Sequence, residues 1–233
     1  MKIFRAVSLL VLFTALACAQ TPAKKAPEPS YAPVADVSGL PRVLLIGDSI
    51  SMGYTLPVRA RLEGKANVHR PAENCGESAR GVKRLEAWLG DGPWDVVHFN
   101  FGLHDVKYLD AAGKYVTPDK GKQVASVADY EKNLRTIVAR LKRTGAKLIF
   151  ATTTPVPAAS SGRVEHDELR YNEAAVRLMR ELGVPVDDLH AVVAPQQGKI
   201  QLPHNVHFTP AGYEALADAV VASIVPALPA KTK

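Results

Sequence analysis

The chain has 233 residues, a formal net charge of +6, and 47% hydrophobic against 22% charged residues. That is the composition of an ordinary soluble globular protein with apolar material for a sizeable core, and the length suits one domain plus a targeting segment. Lys and Arg are scattered rather than massed in a stripe, which argues against a nucleic-acid partner.

In chain order, Lys2 and Arg5 give a positive start, residues 6–17 form an apolar run, and Ala17-Cys18-Ala19 offers small residues for cleavage before Gln20. Residues 1–19 therefore read as a signal peptide, and the protein is expected to be exported to the periplasm or beyond. The apolar run is too short to span a bilayer comfortably, so no membrane span is expected. A lipid anchor at Cys18 is not favoured, because Ala15 stands where a lipoprotein box carries Leu. Cleavage before Gln20 leaves Cys75 as the one thiol, so no internal disulfide can form, and beside Gly76 it reads as packing. Residues 20–40, rich in Pro, Ala, Lys and Ser without apolar period, read as a flexible tether. The domain is expected over residues 41–229.

Arg42-Val43-Leu44-Leu45-Ile46 is a continuous apolar run closed by Gly47, the mark of a strand buried on both faces. Similar runs follow at residues 67–70, 95–100, 147–152 and 184–186, the last with Pro185, which suits an edge or a strand start. Helical periods lie between them: Val82, Leu85, Trp88 and Leu89; Val127, Tyr130, Leu134, Ile137, Val138 and Leu141; Leu169, Val176, Met179 and Leu182; and Tyr213, Leu216, Ala217, Val220 and Ile224. Thr209 and Pro210 suit the cap and first position of the last helix. After Ser49 the pattern is less clear, with Pro57 starting or bending a helix that runs to Glu63. Residues 107–125 form a long polar stretch with glycines, expected as a functional loop. The alternation predicts a parallel sheet of about five strands with helices on both faces.

In such sheets ligands bind beyond the carboxyl ends of the strands. There the sequence places Gly47-Asp48-Ser49, Asn74-Cys75-Gly76, Gly102-Leu103-His104-Asp105 and His204-Asn205-Val206-His207. Ser49, after a tight Gly turn and at a helix start, is the candidate nucleophile. His207, directly before a capped helix, is the candidate general base. Asp48 and Asp105 lie in turns where carboxylates usually bond backbone N–H groups, a structural role.

Gly47-Asp48-Ser49-Ile50, Gly76, Gly102-Leu103-His104-Asp105 and His207-Phe208-Thr209-Pro210-Ala211-Gly212-Tyr213 together resemble, in order and spacing, the four blocks of the SGNH (GDSL) hydrolase family. The resemblance implies a three-layer α/β/α sandwich of flavodoxin-like type and ester hydrolysis through an acyl-serine intermediate, without a cofactor or metal. It also implies an oxyanion hole from the N–H of Ser49, the N–H of Gly76 and a side chain of the third block. Two residues depart from the family. His104 replaces the usual Asn, and a neutral imidazole can still donate one N–H to an oxyanion. His204 replaces the Asp three residues before the base. For His207 three arrangements stay open: a backbone carbonyl holds it in a Ser–His dyad; an acid from elsewhere reaches it, with Asp187 or Asp188 as first candidates alongside His204 as an orienting group; or the site is inactive.

The expected activity is an exported serine esterase acting on small-molecule or polysaccharide esters, short acyl groups such as O-acetyl on carbohydrate foremost. Lys107, Tyr108 and Tyr115 suit a sugar face better than an acyl groove. The alternatives are a lipid acylhydrolase of the same family, a metal-dependent hydrolase using His98, His104, His204 and His207 with Asp48 or Asp105, and an inactive carbohydrate-binding protein on the same fold.

Overall fold

The computed structural model describes residues 28–230. The expected signal peptide and Cys18 lie outside the described residues. In chain order the elements are β1 (Arg42–Ile46), α1 (Ser49–Arg61), β2 (Asn67–His69), α2 (Ser78–Leu89), β3 (Val96–Phe99), β4 (Tyr108–Leu109), β5 (Lys122–Gln123), α3 (Val127–Lys142), β6 (Lys147–Ala151), α4 (Glu168–Leu182), β7 (Val186–Asp187), the short helices α5 (Leu189–Val193) and α6 (Gln197–Ile200), and α7 (Pro210–Ile224).

Five strands pair in the order β2-β1-β3-β6-β7, all parallel. β1 and β3 are buried along almost their whole length because helices cover both faces: α2, α3 and α4 pack in sequence on one side, α1, α5 and α7 on the other. β7 lies at the sheet edge, so Pro185 removes no ladder donor from a central strand. The chain reverses direction across the sheet between β1 and β3. The crevice above that switch point is where an open α/β sheet leaves room for a ligand. Among the described residues no helix is long and apolar enough to cross a membrane.

Three expectations are corrected. Residues 28–40 are not a free tether. Pro29–Tyr31 forms a short 3-10 turn, Val37 N–H donates to Asn67 Oδ1 at 2.9 Å, and Asp36 pairs with Arg42 and His69. The expected loop 107–125 contains an antiparallel two-stranded ribbon, β4 against β5, with Tyr115 bridging back to Leu109. On α4 the buried face is Tyr171, Ala174, Ala175, Leu178 and Met179, while Leu169 is 47% exposed. Two of these are alanines, which a stripe of large apolar residues does not include.

α1 begins at Ser49 and runs through Pro57 rather than starting there. It packs against α7 without a gap: a Cβ on Gly53 would sit 2.0 Å from the Tyr213 ring. Alanine in a helix interior ordinarily gains about 1 kcal/mol over glycine. Gly53→Ala is expected to do the reverse, because overpacking a closed contact typically loses about 1–3 kcal/mol. The melting temperature should fall by roughly 2–12 °C, since each kcal/mol moves a domain of this size by about 2–4 °C. A thermal melt equal to or above wild type would contradict the close α1–α7 contact.

Candidate active site

The first turn of the site follows directly from β1. Asp48 caps α1, its Oδ1 accepting the Ile50 N–H at 2.9 Å. Because Asp48 takes the capping role, the Ser49 side chain is left free, and its backbone N–H is one of the donors a helix start leaves without an intrahelical partner. Arg70, buried at the end of β2, secures this turn from below. Its guanidinium donates to Ser51 Oγ, Thr55 Oγ1 and the carbonyls of Gly47 and Glu73, joining the Ser49 turn to the Gly76 turn. Nothing in the local sequence around Arg70 marks this role.

The last turn comes from the segment before α7. Val206 and Phe208 are buried on either side of His207 and anchor it in the core. Gln201 braces the same segment by donating to the carbonyls of Val206 and Pro155. Thr209 caps α7 through the Gly212 N–H at 3.1 Å, with Pro210 at the first helical position. These contacts bring His207 Nε2 to 2.9 Å from Ser49 Oγ, across 158 positions of sequence.

The other imidazole nitrogen has a definite partner. His207 Nδ1 is 2.8 Å from Asn205 Oδ1, and the His207 backbone N–H donates to the same atom at 3.0 Å. A backbone N–H can only donate, so the shared atom must be the amide oxygen. Nδ1 therefore carries the proton, and Nε2 presents its lone pair to Ser49. Asn205 is the orienting group. Its signal was an Asx turn, in which an Asn bonds the backbone N–H two residues on, at the position next to the one where an acid was sought.

The other groups expected in that role are engaged elsewhere. Asp187 Oδ2 lies 2.9 Å from His98 Nε2 inside the sheet and also accepts from Ser223. Asp188 caps α5 through the Ala191 N–H and accepts from Thr152. His204 sits in the left-handed region at φ +54°, and its Nδ1 donates to the Ala158 carbonyl. Asp105 binds Ser78 at the start of α2 rather than the site, and burial raises its carboxyl to about 7. With His98, His204 and Asp105 so engaged, the ligands of a metal reading are dispersed; among the described residues no three His, Cys, Asp or Glu side chains gather to hold an ion.

The expected oxyanion donors line one rim. Gly76 adopts φ +67°, a conformation that favours glycine, and its N–H donates to Asn74 Oδ1 at 3.0 Å, so an incoming oxyanion would compete with that side chain. A Cβ at Gly76 would lie 4.0 Å from His104 Nδ1, which sets His104 beside it. Lys107 donates to His104 Nδ1 at 3.0 Å. Burial lowers the pKa of His104, Asp48 opposes that, and Lys107 and Arg163 add to it. Cys75 is buried, with its thiol pushed up to about 12 by that burial, an inert packing residue.

A doubly wound α/β protein with a serine hydroxyl, an imidazole and an amide in line above its switch point has the architecture of a serine hydrolase. The model of the GDSL-like lipase/acylhydrolase family matches residues 45–215. The chain belongs to that family and is a carboxylic ester hydrolase. Several solved structures share its fold. An acetyl xylan esterase is 16% identical, with 79% of this chain and 100% of that one covered at a TM-score of 0.65. A lipase/acylhydrolase from Enterococcus faecalis is 22% identical, covering 83% and 100% at 0.64. An acetylxylan esterase from Geobacillus stearothermophilus is 19% identical, covering 79% and 94% at 0.64. At these identities the likeness is one of fold. No curated protein matches closely enough to count as a relative.

Proposed function

We propose that this protein is an exported serine esterase that removes short acyl groups, acetyl foremost, from carbohydrate through an acyl-Ser49 intermediate. The observation that carries the reading is the 2.9 Å contact between Ser49 Oγ and His207 Nε2, with the far nitrogen held by Asn205. His207 takes the hydroxyl proton as Oγ attacks the ester carbon, and the carbonyl oxygen becomes an oxyanion. Collapse breaks the bond to the alcohol, which leaves with the proton from His207. Water then attacks the acyl-serine, gives its proton to His207, and releases the acid and free Ser49. Asn205 supports the imidazolium formed in each half-reaction. The N–H groups of Ser49 and Gly76 and the His104 imidazole are the donors for the oxyanion.

The surroundings of Ser49 favour a short acyl group. His104 beside Asp48, Asn74 on the Gly76 N–H and Asn205 on His207 are polar, and an aliphatic tail laid against them would desolvate polar atoms without apolar contact in return. Tyr115, 50% exposed, presents a ring suited to a sugar. Lys107, expected on the same sugar face, is buried under Tyr115 instead. Two structures of similar fold are of acetyl xylan esterases, which supports the same substrate class. Export rests on Lys2, Arg5 and the apolar run of residues 6–17.

A series of 4-nitrophenyl esters from acetate upward tests the reading, together with release of acetate from acetylated xylan. Acetate and propionate esters should turn over fastest. A preference for acyl chains of about ten carbons or more would favour the lipid acylhydrolase, because a long groove gains with each buried methylene.

A further inference from the structure

We propose that Lys107 is a positioning residue that keeps the proton of His104 on Nε2, so that the imidazole offers an N–H to the carbonyl oxygen of the ester at Ser49. The inference rests on the reading of His104 as an oxyanion donor and adds the group that makes it one. A histidine has two neutral tautomers, and only the one with its proton on the nitrogen facing the substrate can donate there.

Gly102 through Lys107 form one tight turn after β3, in which the N–H groups of Asp105 and Val106 both donate to the Gly102 carbonyl. That turn places His104 and Lys107 three residues apart on one side, and Lys107, only 9% exposed, reaches Nδ1 at 3.0 Å. An ammonium donates and cannot accept, so Nδ1 must supply its lone pair and the proton must sit on Nε2. Nε2 lies 3.9 Å from Asp48 Oδ2, too far for a hydrogen bond, so the N–H is unclaimed by that carboxylate. The surrounding elements keep the turn and its charge fixed. Arg163 Nε donates to the Leu103 carbonyl at 3.0 Å, and Lys107 Nζ and the Arg163 guanidinium lie 5.3 and 5.8 Å from the Tyr115 ring centre. The charged groups facing His104 are Asp48 after β1, Glu77 before α2, Lys107 and Arg163, and burial together with the two cations keeps the ring neutral.

The direct test is the tautomer. In 15N-labelled protein, long-range nitrogen–proton correlation at about pH 8, with His104 assigned by its loss in His104→Ala, should show an Nε2-protonated ring in wild type and in Lys107→Arg. Lys107→Met should shift His104 toward Nδ1 protonation. Kinetically, Lys107→Met should lower kcat about tenfold with KM within about twofold, and Lys107→Arg should restore most of the rate. Because Lys107 acts through His104, adding Lys107→Met to His104→Ala should lower kcat by less than about twofold further. An Nδ1-protonated His104 in wild type overturns the proposal, even if Lys107→Met fails to fold. So does an unchanged tautomer in Lys107→Met, or an equal loss from that substitution in the His104→Ala background. Full activity of His104→Ala beside an inactive Ser49→Ala would instead remove His104 from the oxyanion hole and leave the esterase reading intact.

Discussion

Ser49→Ala is expected to lower kcat on 4-nitrophenyl acetate by about 10⁴–10⁶-fold, and His207→Ala by a similar factor, since groups that act as one unit lose most of their effect when either is removed. The double substitution should be scarcely worse than either alone. The geometry gives the reason. Nε2 of His207 is the hydrogen-bond partner of Ser49 Oγ, and the imidazole is of use only with a hydroxyl to deprotonate. Neither substitution should unfold the protein. Asp48, not Ser49, caps α1, and Val206 and Phe208 hold the His207 segment in the core. Melting temperatures near wild type are therefore part of the expectation. A fluorophosphonate probe should label wild type stoichiometrically at Ser49 and leave Ser49→Ala unlabelled by intact mass. Retention of a wild-type rate in Ser49→Ala would end the acyl-serine mechanism, and an unlabelled, inactive wild type would favour a binding protein on this fold.

The parts of the fold that could be read from sequence are those set by short-range patterns. Residues 43–46, 96–99 and 148–151 are buried on both faces, so apart from His98 they are apolar without alternation, and each announces a parallel strand. The cap and proline at Thr209 and Pro210 mark the start of α7 for the same local reason. Elements whose stability comes from distant partners were hidden. Residues 28–40 look like a tether because their composition lacks an apolar period, yet Asn67 and Asp36 dock them by polar contacts spanning about thirty positions. Each strand of the β4–β5 ribbon is two residues long, too short for a run of apolar alternation to betray it.

The candidate site divides along the same line. Ser49, Gly76, His104 and His207 stand at strand ends and helix starts, positions that a sheet topology makes conspicuous. Their supporting residues do not. The strand pattern makes Asp187 a candidate acid, but β7 places it beside His98, whose buried imidazole needs a partner. Asn74, Arg70 and Lys107 reveal themselves only through the atoms they reach. A search for a carboxylate also steers past Asn205, because a neutral amide can fix a tautomer without supplying charge.

That difference between amide and acid leads to the second large effect. Asn205→Ala removes the acceptor for His207 Nδ1–H and frees the ring to take the other tautomer, so kcat should fall by roughly 10²-fold, less than the loss of His207 itself. The turn also loses the hydrogen bond from the His207 backbone N–H to the Asn205 side chain, at about 1 kcal/mol, too little to unfold the domain. Asn205→Asp keeps the acceptor and adds a charge, which makes it the more discriminating variant. In the native protein burial holds the His207 pKa below its ordinary 6.5, Asp48 opposing and Arg163 assisting. The general base works unprotonated, so kcat/KM should be lost as pH falls through a midpoint below 6.5, and the neutral Asn205 leaves that depression in place. A carboxylate at position 205 favours the imidazolium, and the acidic limb should move to higher pH by about one unit or more. The two profiles, measured on 4-nitrophenyl acetate, separate an amide that sets geometry from one that is incidental. Identical limbs in wild type and Asn205→Asp, with full activity in Asn205→Ala, would show that position 205 does not act on His207 at all.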